Sequence, residues 1–259
     1  MKKNEDGEII MKYAIITGSS KGLGASITKR ILQEGFGVYS ISRTGNHELM
    51  NLASEKQLFY RHFPCDVSDT KSLENTVVAI IERLKMDNVD ELWIFNNAGV
   101  VEPIETIGNL NTKSVELNIQ INLLAPILIS NLLIQHLKAL KLMIVNITSG
   151  AGERPIHGWS TYCSTKAAIN MFTQTAALEQ KNSNGNHTII GFSPGIMDTD
   201  MQETIRSSSK EAFHDIERFQ SYKEEGLLRS TDTVADALVD LLLSEKIESG
   251  TIYNVNQLI

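Results

Sequence analysis

The sequence predicts an α/β fold, a three-layer sandwich in which a seven-stranded parallel sheet is covered by helices on both faces. The first observation behind this prediction is that short apolar runs alternate with longer segments whose apolar residues lie three and four positions apart. The second is a chain of 259 residues, 42% of them hydrophobic and 21% charged, which is enough to bury a large core. The third is that no linker rich in proline, glycine or serine divides the chain, so we expect a single domain over residues 12–259.

The alternation assigns each element in chain order. The predicted strands are KYAIIT from Lys12, GVYSIS from Gly37, LFYRHF from Leu58, ELWIFNN from Glu91, KLMIVNIT from Lys141, HTIIGFS from His187 and GTIYNV from Gly250. Helical spacing fills the segments between them, as in residues 73–84. The polar stretch 196–226 breaks this pattern before a final helix near Thr231. We predict an insertion there, a substrate lid outside the carboxyl edge of the sheet.

Composition and charge argue against several classes of protein. The chain has 24 Lys and Arg residues against 31 Asp and Glu residues, a net charge of −7, whereas a nucleic-acid binder normally shows a basic face. Cys65 and Cys163 fit no disulfide framework and no metal spacing, so we expect reduced thiols, no metal site and a cytoplasmic location. The most apolar segment, 121–134, is interrupted by polar residues and is shorter than the roughly 20 residues of a membrane span.

Residues 1–11 stand apart from the predicted domain. The first ten are polar and lack the apolar core of a signal peptide, and Met11 follows them directly before the first strand. Two interpretations stay open: a disordered tail, or an extension upstream of a translation start at Met11.

The first strand runs into a glycine-rich turn, TGSSKGLG at 17–24, which is followed by a helical segment. Glycines let the backbone turn tightly and let a pyrophosphate approach the N–H groups at the helix start, as in a Rossmann-type fold. An ordinary glycine-rich turn between a strand and a helix is the alternative. The cofactor-binding candidates here are Gly18, Ser20, Lys21, Gly22, Leu23 and Gly24.

The end of the second strand indicates which dinucleotide binds. An NAD-binding fold usually has an acidic residue here for the ribose 2′-hydroxyl. This sequence has Arg43 followed by Thr44, and Lys21 is a possible second cation. Because cations pair with a 2′-phosphate, we expect NADP(H) rather than NAD(H). The alternative is that both cations are solvated surface charges.

Two further strand ends carry polar or small residues. Asp66 with Val67 follows the third strand, where a carboxylate can meet the adenine amino group; a helix N-cap at Asp66 or Ser68 is the alternative. Asn97, Ala98 and Gly99 end the fourth strand, and their small size suits close contact with a ribose. A plain turn would look the same.

Catalytic candidates follow the fifth strand. Ser149 ends that strand, and Tyr162 and Lys166 come next with a spacing of four, which places them on one helical face. A tyrosine hydroxyl has an ordinary pKa near 10. We expect the neighbouring ammonium to lower the pKa of Tyr162 and make it a usable proton donor to a carbonyl, with Ser149 bonding the same oxygen.

Taken together, these motifs resemble the short-chain dehydrogenase/reductase family from Lys12 to the C-terminus. The resemblance implies hydride transfer between a nicotinamide cofactor and a substrate carbonyl. It implies that Asn122 is a fourth catalytic residue that holds a water linking Lys166 to solvent. It also implies that Tyr162, Lys166, Pro194, Gly195, Ile196 and Thr199 contact the cofactor. Homodimers through the helices around 119–140 and after Tyr162 are a further implication, although buried core helices would look the same.

Longer segments resemble one group within the family. SPGIMDTDMQ at 193–202, VNITSGA, GWSTYCSTKA and IRSSSKEAFHDIERF are similar to the sepiapterin-reductase-like group, which includes the bacterial (S)-benzoin-forming benzil reductases. The resemblance implies NADPH-dependent reduction of one carbonyl of a diketone such as benzil to give (S)-benzoin. A sepiapterin reductase is the alternative. The pterin-anchoring Asp expected near the C-terminus is missing from residues 249–254, which disfavours a pterin.

Apolar candidates for the substrate pocket are Ile156, Trp159, Phe192 and Met197, for which core or lid packing is the alternative. A small-molecule carbonyl is therefore the expected partner, with no nucleic acid and no membrane. A hypothesis from a different functional class is a regulatory protein that senses NADPH without catalysing a reaction. It is disfavoured because Tyr162 and Lys166 are both present.

Overall fold

The computed structural model describes residues 11–87, 89–183, 185–244 and 246–259. One seven-stranded sheet has the order β3-β2-β1-β4-β5-β6-β7, and every neighbouring pair is parallel. Its strands are β1 (Lys12–Thr17), β2 (Gly37–Ser42), β3 (Tyr60–Pro64), β4 (Glu91–Asn96), β5 (Lys141–Ile147), β6 (Thr188–Ser193) and β7 (Ile252–Asn254). The predicted fold class, a Rossmann-type sandwich in a single domain, is confirmed.

β3 and β7 each begin two residues later than predicted. β3 begins at Tyr60 rather than at Leu58, because Gln57 has a φ of +56° and the Leu58 N–H closes the preceding helix on Ala53. β7 begins at Ile252, because Gly250 has a φ of +89° and the chain is still turning there. Leu58 and Phe59 are apolar like the strand that follows them, which is why the sequence pattern extends past the start of β3.

Helices cover both faces of the sheet, as the alternation predicts. They are α1 (Gly22–Gln33), α2 (His47–Glu55), α3 (Thr70–Met86), α4 (Thr112–Ile119), α5 (Ala125–His136), α6 (Ser160–Asn182), α7 (Asp200–Arg206), α8 (Ile216–Glu224) and α9 (Thr231–Leu243). α1 and α9 pack against one face, and α3, α5 and α6 pack against the other.

The side chains of successive strand residues point to opposite faces of the sheet and pack into different cores, as expected for a pleated strand. In β4, Leu92 and Ile94 belong to the core under α3 and α5, whereas Trp93 and Phe95 belong to the core under α1 and α9. All four are essentially buried. The strands are apolar on both faces, which fixes the register of a sheet that helices cover twice.

α4 and α5 form one continuous helical segment, Thr112–His136, through a π-helical turn at Gln120–Leu124. By length and composition alone its 25 residues could cross a membrane. The expectation that this helix is too short was wrong, because the polar α4 extends it toward the N-terminus. Ile121, Ile129 and Leu133 pack into the core, so the segment is a core helix of the domain.

The predicted insertion at 196–226 contains α7 and α8. Both pack over a third apolar cluster, which includes Trp159, Tyr162 and Phe213. The final helix begins at Thr231, where Ser230 caps it by accepting a hydrogen bond from Thr233. The predicted extension lies almost wholly outside the described residues. Met11, its last residue, bonds Asp90 through its own backbone N–H.

Candidate functional site

The candidate residues meet because the sheet is parallel. The carboxyl ends of β1, β4, β5 and β6 lie along one edge, and β1 sits where the strand order reverses, with β2 on one side and β4 on the other. In open α/β sheets, ligands bind in the crevice outside this edge. The glycine turn, the NNAG segment, Ser149 and Pro194-Gly195 therefore face a common space.

The glycine turn requires its glycines for steric reasons. Gly18 and Gly22 have φ values of +66° and +57°. A Cβ on Gly24 would lie 2.2 Å from the Gly18 carbonyl oxygen, so no larger residue fits. Gly22 and Gly24 already belong to the first turn of α1, which corrects the prediction that the helix begins after Gly24.

The start of α1 fits a phosphate. Its N-cap residue, Lys21, makes no side-chain capping bond. Free N–H groups at the start of a twelve-residue helix favour an anion. A backbone without Cβ atoms leaves room for one to approach, so this part of the chain fits the pyrophosphate of a dinucleotide.

The Lys21 side chain itself is engaged elsewhere. Its ammonium pairs with the Asp200 carboxylate of α7, and both side chains are largely exposed. The Thr199 methyl also lies 3.7 Å from the position of a Cβ on Gly22. α7 thus contacts the glycine turn directly, a contact that sequence spacing did not reveal.

Arg43 and Asp66 lie close enough at the ends of β2 and β3 to interact electrostatically. Partial burial opposes ionisation of Asp66, but two hydrogen bonds from Ser68 and the charge of Arg43 lower the pKa of this carboxyl. Arg43 and Thr44 are exposed to solvent. The N-cap alternative at Asp66 or Ser68 was wrong, because Asp69 caps α3 by accepting a bond from the Ser72 N–H.

Asn97 braces the glycine turn. Its side-chain amide donates to the Thr17 and Gly18 carbonyls at 2.9 and 3.2 Å. In return, the Thr17 hydroxyl oxygen accepts the backbone N–H groups of Asn97 and Ala98 at 2.9 and 3.0 Å. The amide is therefore committed to holding β1 and β4 together at the crevice.

Tyr162 and Lys166 are buried side by side, and the half-buried Ser149 lies next to them. The Ser149 Oγ accepts the Ala151 N–H at 3.2 Å, and Ser149 lies close enough to Tyr162 to influence its pKa. The Lys166 Nζ donates to the Ile147 carbonyl at 2.8 Å and lies 5.7 Å from the centre of the Tyr162 ring. A Cβ on Gly99 would come within 3.8 Å of that Nζ, so the NNAG segment forms a wall of the cluster.

Burial dominates the ionisation of this cluster. It raises the pKa of Tyr162 to about 12, and the neighbouring Ser149 side chain only partly offsets this rise. Burial lowers the pKa of Lys166 to about 8. The expectation that Lys166 lowers the pKa of Tyr162 was therefore wrong, because desolvation of the phenolate outweighs attraction to an ammonium that is itself destabilised. At neutral pH Tyr162 carries its proton.

Asn122 lies in the π-helical turn with its side-chain amide fully occupied. Its Oδ1 accepts the Val100 N–H at 2.9 Å, and its Nδ2 donates to the Val100 carbonyl at 2.8 Å and to Asn118 at 2.9 Å. Oδ1 also lies 3.3 Å from the position of a Cβ on Gly99. Asn122 therefore fixes the backbone that walls the Lys166 cluster.

The predicted lid segment, 196–226, contributes two aromatic residues that the sequence analysis did not single out, Phe213 and Phe219. Trp159 stacks on Phe213, with ring centres 4.9 Å apart, and meets Tyr162 edge-on at 5.4 Å. Phe219 also meets Trp159 edge-on at 5.5 Å. The signal was present in the apolar spacing of three between positions 213, 216 and 219, which is typical of a helical face.

The predicted pocket residues separate into two groups. Ile156 and Trp159 belong to the cluster around Tyr162. Phe192 is fully buried in the core under α1 and α9, so its role as a pocket residue was wrong and the packing alternative holds. Met197 packs at the edge of that core, and its backbone forms an isolated parallel β-bridge with Arg229.

A cleft of about 640 Å³ opens beside α7, lined by Glu102, Ile104, Asp200, Glu203, Thr204, Ser207 and Ser208. Its lining includes three carboxylates. Gly195, with a φ of +71°, precedes this region and could not carry a side chain without meeting Val255. Within the described part of the chain, no group of three His, Cys, Asp or Glu residues is arranged to hold a metal.

The fold and the site define a dinucleotide-dependent oxidoreductase. Residues 12–210 match the family described as short chain dehydrogenase, and the chain belongs to this family. It is 40% identical over 249 residues to a benzil reductase ((S)-benzoin forming) of Bacillus cereus, covering 95% of this chain and 100% of that one. A sepiapterin reductase of Bos taurus is 27% identical, covering 91% of each.

Among solved structures, the KRED1-Pglu enzyme aligns with a TM-score of 0.79 at 25% identity, covering 94% of this chain and 100% of that one. Family and fold together indicate a nicotinamide cofactor. The protein is thus an oxidoreductase that acts on a carbonyl group or on the corresponding alcohol.

The low pKa of Lys166 predicts a pH-dependent stability. Its pKa falls from 10.5 in the unfolded chain to about 8 in the folded one. Between these values the unfolded state binds more protons, so this residue makes stability rise with pH. We compare wild type with Lys166→Met by urea unfolding. Between pH 8 and pH 10.5, the free energy of unfolding of wild type should rise by about 3 kcal/mol relative to that of Lys166→Met. Parallel pH profiles for the two proteins would contradict this.

Proposed function

We propose that this protein uses NADPH to reduce one carbonyl of a diketone such as benzil, giving (S)-benzoin. The observation that carries the proposal is the cluster of the half-buried Ser149 with the buried Tyr162 and Lys166, beside the aromatic residues Trp159 and Phe213. The full-length similarity to a benzil reductase supports the choice of substrate.

The crevice residues are suited to the cofactor. The start of α1 receives the pyrophosphate, and the exposed Arg43 receives the 2′-phosphate, which favours NADP(H). The proposed cofactor-binding residues are Gly18, Ser20, Lys21, Gly22, Leu23, Gly24, Arg43, Thr44, Asp66, Val67, Asn97, Ala98, Gly99, Tyr162, Lys166, Pro194, Gly195, Ile196 and Thr199. When bound, the reduced nicotinamide supplies the hydride for the carbonyl carbon.

The chain's own residues handle the proton. Tyr162 is protonated at neutral pH, so its hydroxyl donates a proton to the carbonyl oxygen as the alcohol forms. Ser149 donates a hydrogen bond to the same oxygen, and Lys166 stabilises the tyrosinate that remains. Asn122 is the proposed fourth member, which links Lys166 through a water to solvent.

Lid and cleft favour a neutral aromatic substrate. Ile156, Trp159 and Met197 are the proposed substrate contacts, and the stack on the buried Phe213 fixes the orientation of Trp159. The carboxylates of the cleft, including Glu102 and Glu203, repel anionic substrates.

A sepiapterin reductase is the second candidate, supported by the bovine relative. It is less favoured because Asn254, near the expected position of a pterin-binding Asp, is neutral and caps the turn at Val255–Gln257. An NADPH sensor without turnover is less favoured because it has no need for the proton-donating cluster.

We also propose a cytoplasmic homodimer. Leu117 and Leu124 on α4 and the π-helical turn are 41% and 36% exposed, and Met171 and Leu178 on α6 are 62% and 57% exposed. Each pair is spaced by seven residues, so each marks one helical face. Four exposed apolar side chains on neighbouring helices suit contact with a second copy.

The central test follows NADPH absorbance with benzil, sepiapterin and a simple aldehyde. We expect oxidation with benzil, and a loss of about 100-fold or more in kcat for Tyr162→Phe, because the proton donor is removed. Tyr253→Phe, the same change at a hydroxyl that only accepts the Glu248 N–H, is the control and keeps its kcat. Tight NADPH binding without oxidation of any carbonyl would favour the sensor.

Cofactor choice is tested at Arg43. Arg43→Asp should lower the ratio of kcat/KM with NADPH to kcat/KM with NADH by about 10- to 100-fold, as expected for a charged hydrogen bond of about 1.5–3 kcal/mol. Arg61→Asp makes the same charge change at an exposed residue of β3 and should leave the ratio unchanged. Equal ratios in all three proteins would refute the assignment.

The dimer is tested by sedimentation velocity. Met171→Lys with Leu178→Lys should shift the protein to a monomer, because two charges would be buried at the interface. Met86→Lys, at a residue 75% exposed on α3, should remain a dimer. A wild-type monomer at micromolar concentration would exclude the proposal.

A further inference from the structure

α4 is docked through a polar residue. Among its eight residues only Asn118 is buried, and its exposure is 0%. Its neighbours Leu117 and Ile119 are 41% and 42% exposed. Helices usually bury their apolar side chains and expose asparagine side chains. In α4 the opposite holds, which indicates that the Asn118 side chain has a specific role.

The Asn118 amide uses its full hydrogen-bonding capacity. Its Nδ2 donates to the Val100 and Glu102 carbonyls at 3.2 and 2.6 Å. Its Oδ1 accepts from the Asn122 Nδ2 at 2.9 Å and from the Thr165 hydroxyl at 3.0 Å. A buried amide with every bond made specifies one geometry, whereas an apolar side chain would tolerate several.

These bonds join three parts of the site. Val100 and Glu102 belong to the segment that continues from the NNAG motif, and Glu102 lines the cleft. Thr165 lies on α6 between Tyr162 and Lys166, and its single hydroxyl proton is shared between Asn118 Oδ1 and the Tyr162 carbonyl, at 3.0 and 3.1 Å. Asn118 therefore ties the first turns of α6 to the wall of the cleft.

We infer that Asn118, acting through Thr165, is a positioning residue that fixes the turn bearing Tyr162 and Lys166 against the 100–102 segment. The inference rests on the proposed function, because it assigns that turn to the proton-donating cluster. Neither residue contacts the reacting atoms. Their contribution is orientation, and a displacement of about 1 Å at a reacting group can cost up to 100-fold in rate.

Thr165→Val tests the inference with little change in side-chain volume. It removes the hydroxyl that bonds Asn118 and the Tyr162 carbonyl. Thr173→Val is the matched control on the same helix. The Thr173 hydroxyl is also fully buried, donates to the Ile169 carbonyl at 2.8 Å and accepts from Asn146 at 2.9 Å, but it lies two turns beyond the site. Thr165→Ser restores the hydroxyl.

We expect Thr165→Val to lower kcat about tenfold or more, with the KM for NADPH within twofold of wild type. Thr165→Ser and Thr173→Val should keep kcat within threefold. Without cofactor or substrate, hydrogen exchange of the backbone amides at 160–167 should become faster in Thr165→Val only. A Thr165→Val protein with wild-type kcat, or a Thr173→Val protein with an equal loss, would overturn the inference.

Failure of the proposed function would be recognised separately. If wild type oxidises NADPH with none of the carbonyls, the reductase proposal fails, and hydrogen exchange alone decides whether Asn118 and Thr165 order this turn. Unchanged exchange at 160–167 in Thr165→Val would then reject the inference.

Discussion

The site depends on holding a lysine ammonium inside the protein. Lys166 is 5% exposed, its Nζ bonds the Ile147 carbonyl, and no acidic side chain of the described residues forms an ion pair with it. A buried charge without a counter-charge is unfavourable, which is why its pKa is low. Only surrounding elements that are fixed by their own packing can keep it in place.

The parallel sheet supplies that rigidity. β4 and β5 are neighbours in the sheet, so the Gly99 wall and the Ile147 carbonyl approach Lys166 from adjacent strand ends. Asn97 holds the glycine turn to the same edge. The proposed cofactor-binding turn and the proposed proton donor are thus held by the same strand ends, so a shift in either strand end would displace both.

The strands, the fold class and the convergence of the motifs could be predicted, because apolar periodicity and chain order record them directly. Asn118 could not, since an asparagine on a helix is usually exposed and only the tertiary contacts show it buried. The cap of α3 was misplaced by one to three residues because Asp66, Ser68 and Asp69 are all good capping residues. Phe213 was missed because the lid is too short and polar for its helical spacing to stand out.

The pKa of Tyr162 shows why local spacing alone misleads. The spacing of four between Tyr162 and Lys166 suggests that a charge tunes the phenol. Trp159 and Phe213 instead complete an apolar enclosure, and burial sets the pKa near 12. A tyrosine that keeps its proton at neutral pH starts carbonyl reduction in the required state, whereas alcohol oxidation would first need its removal. Trp159 and Phe213 thus contribute to the burial that raises the pKa of Tyr162, and they lie beside the proposed substrate pocket.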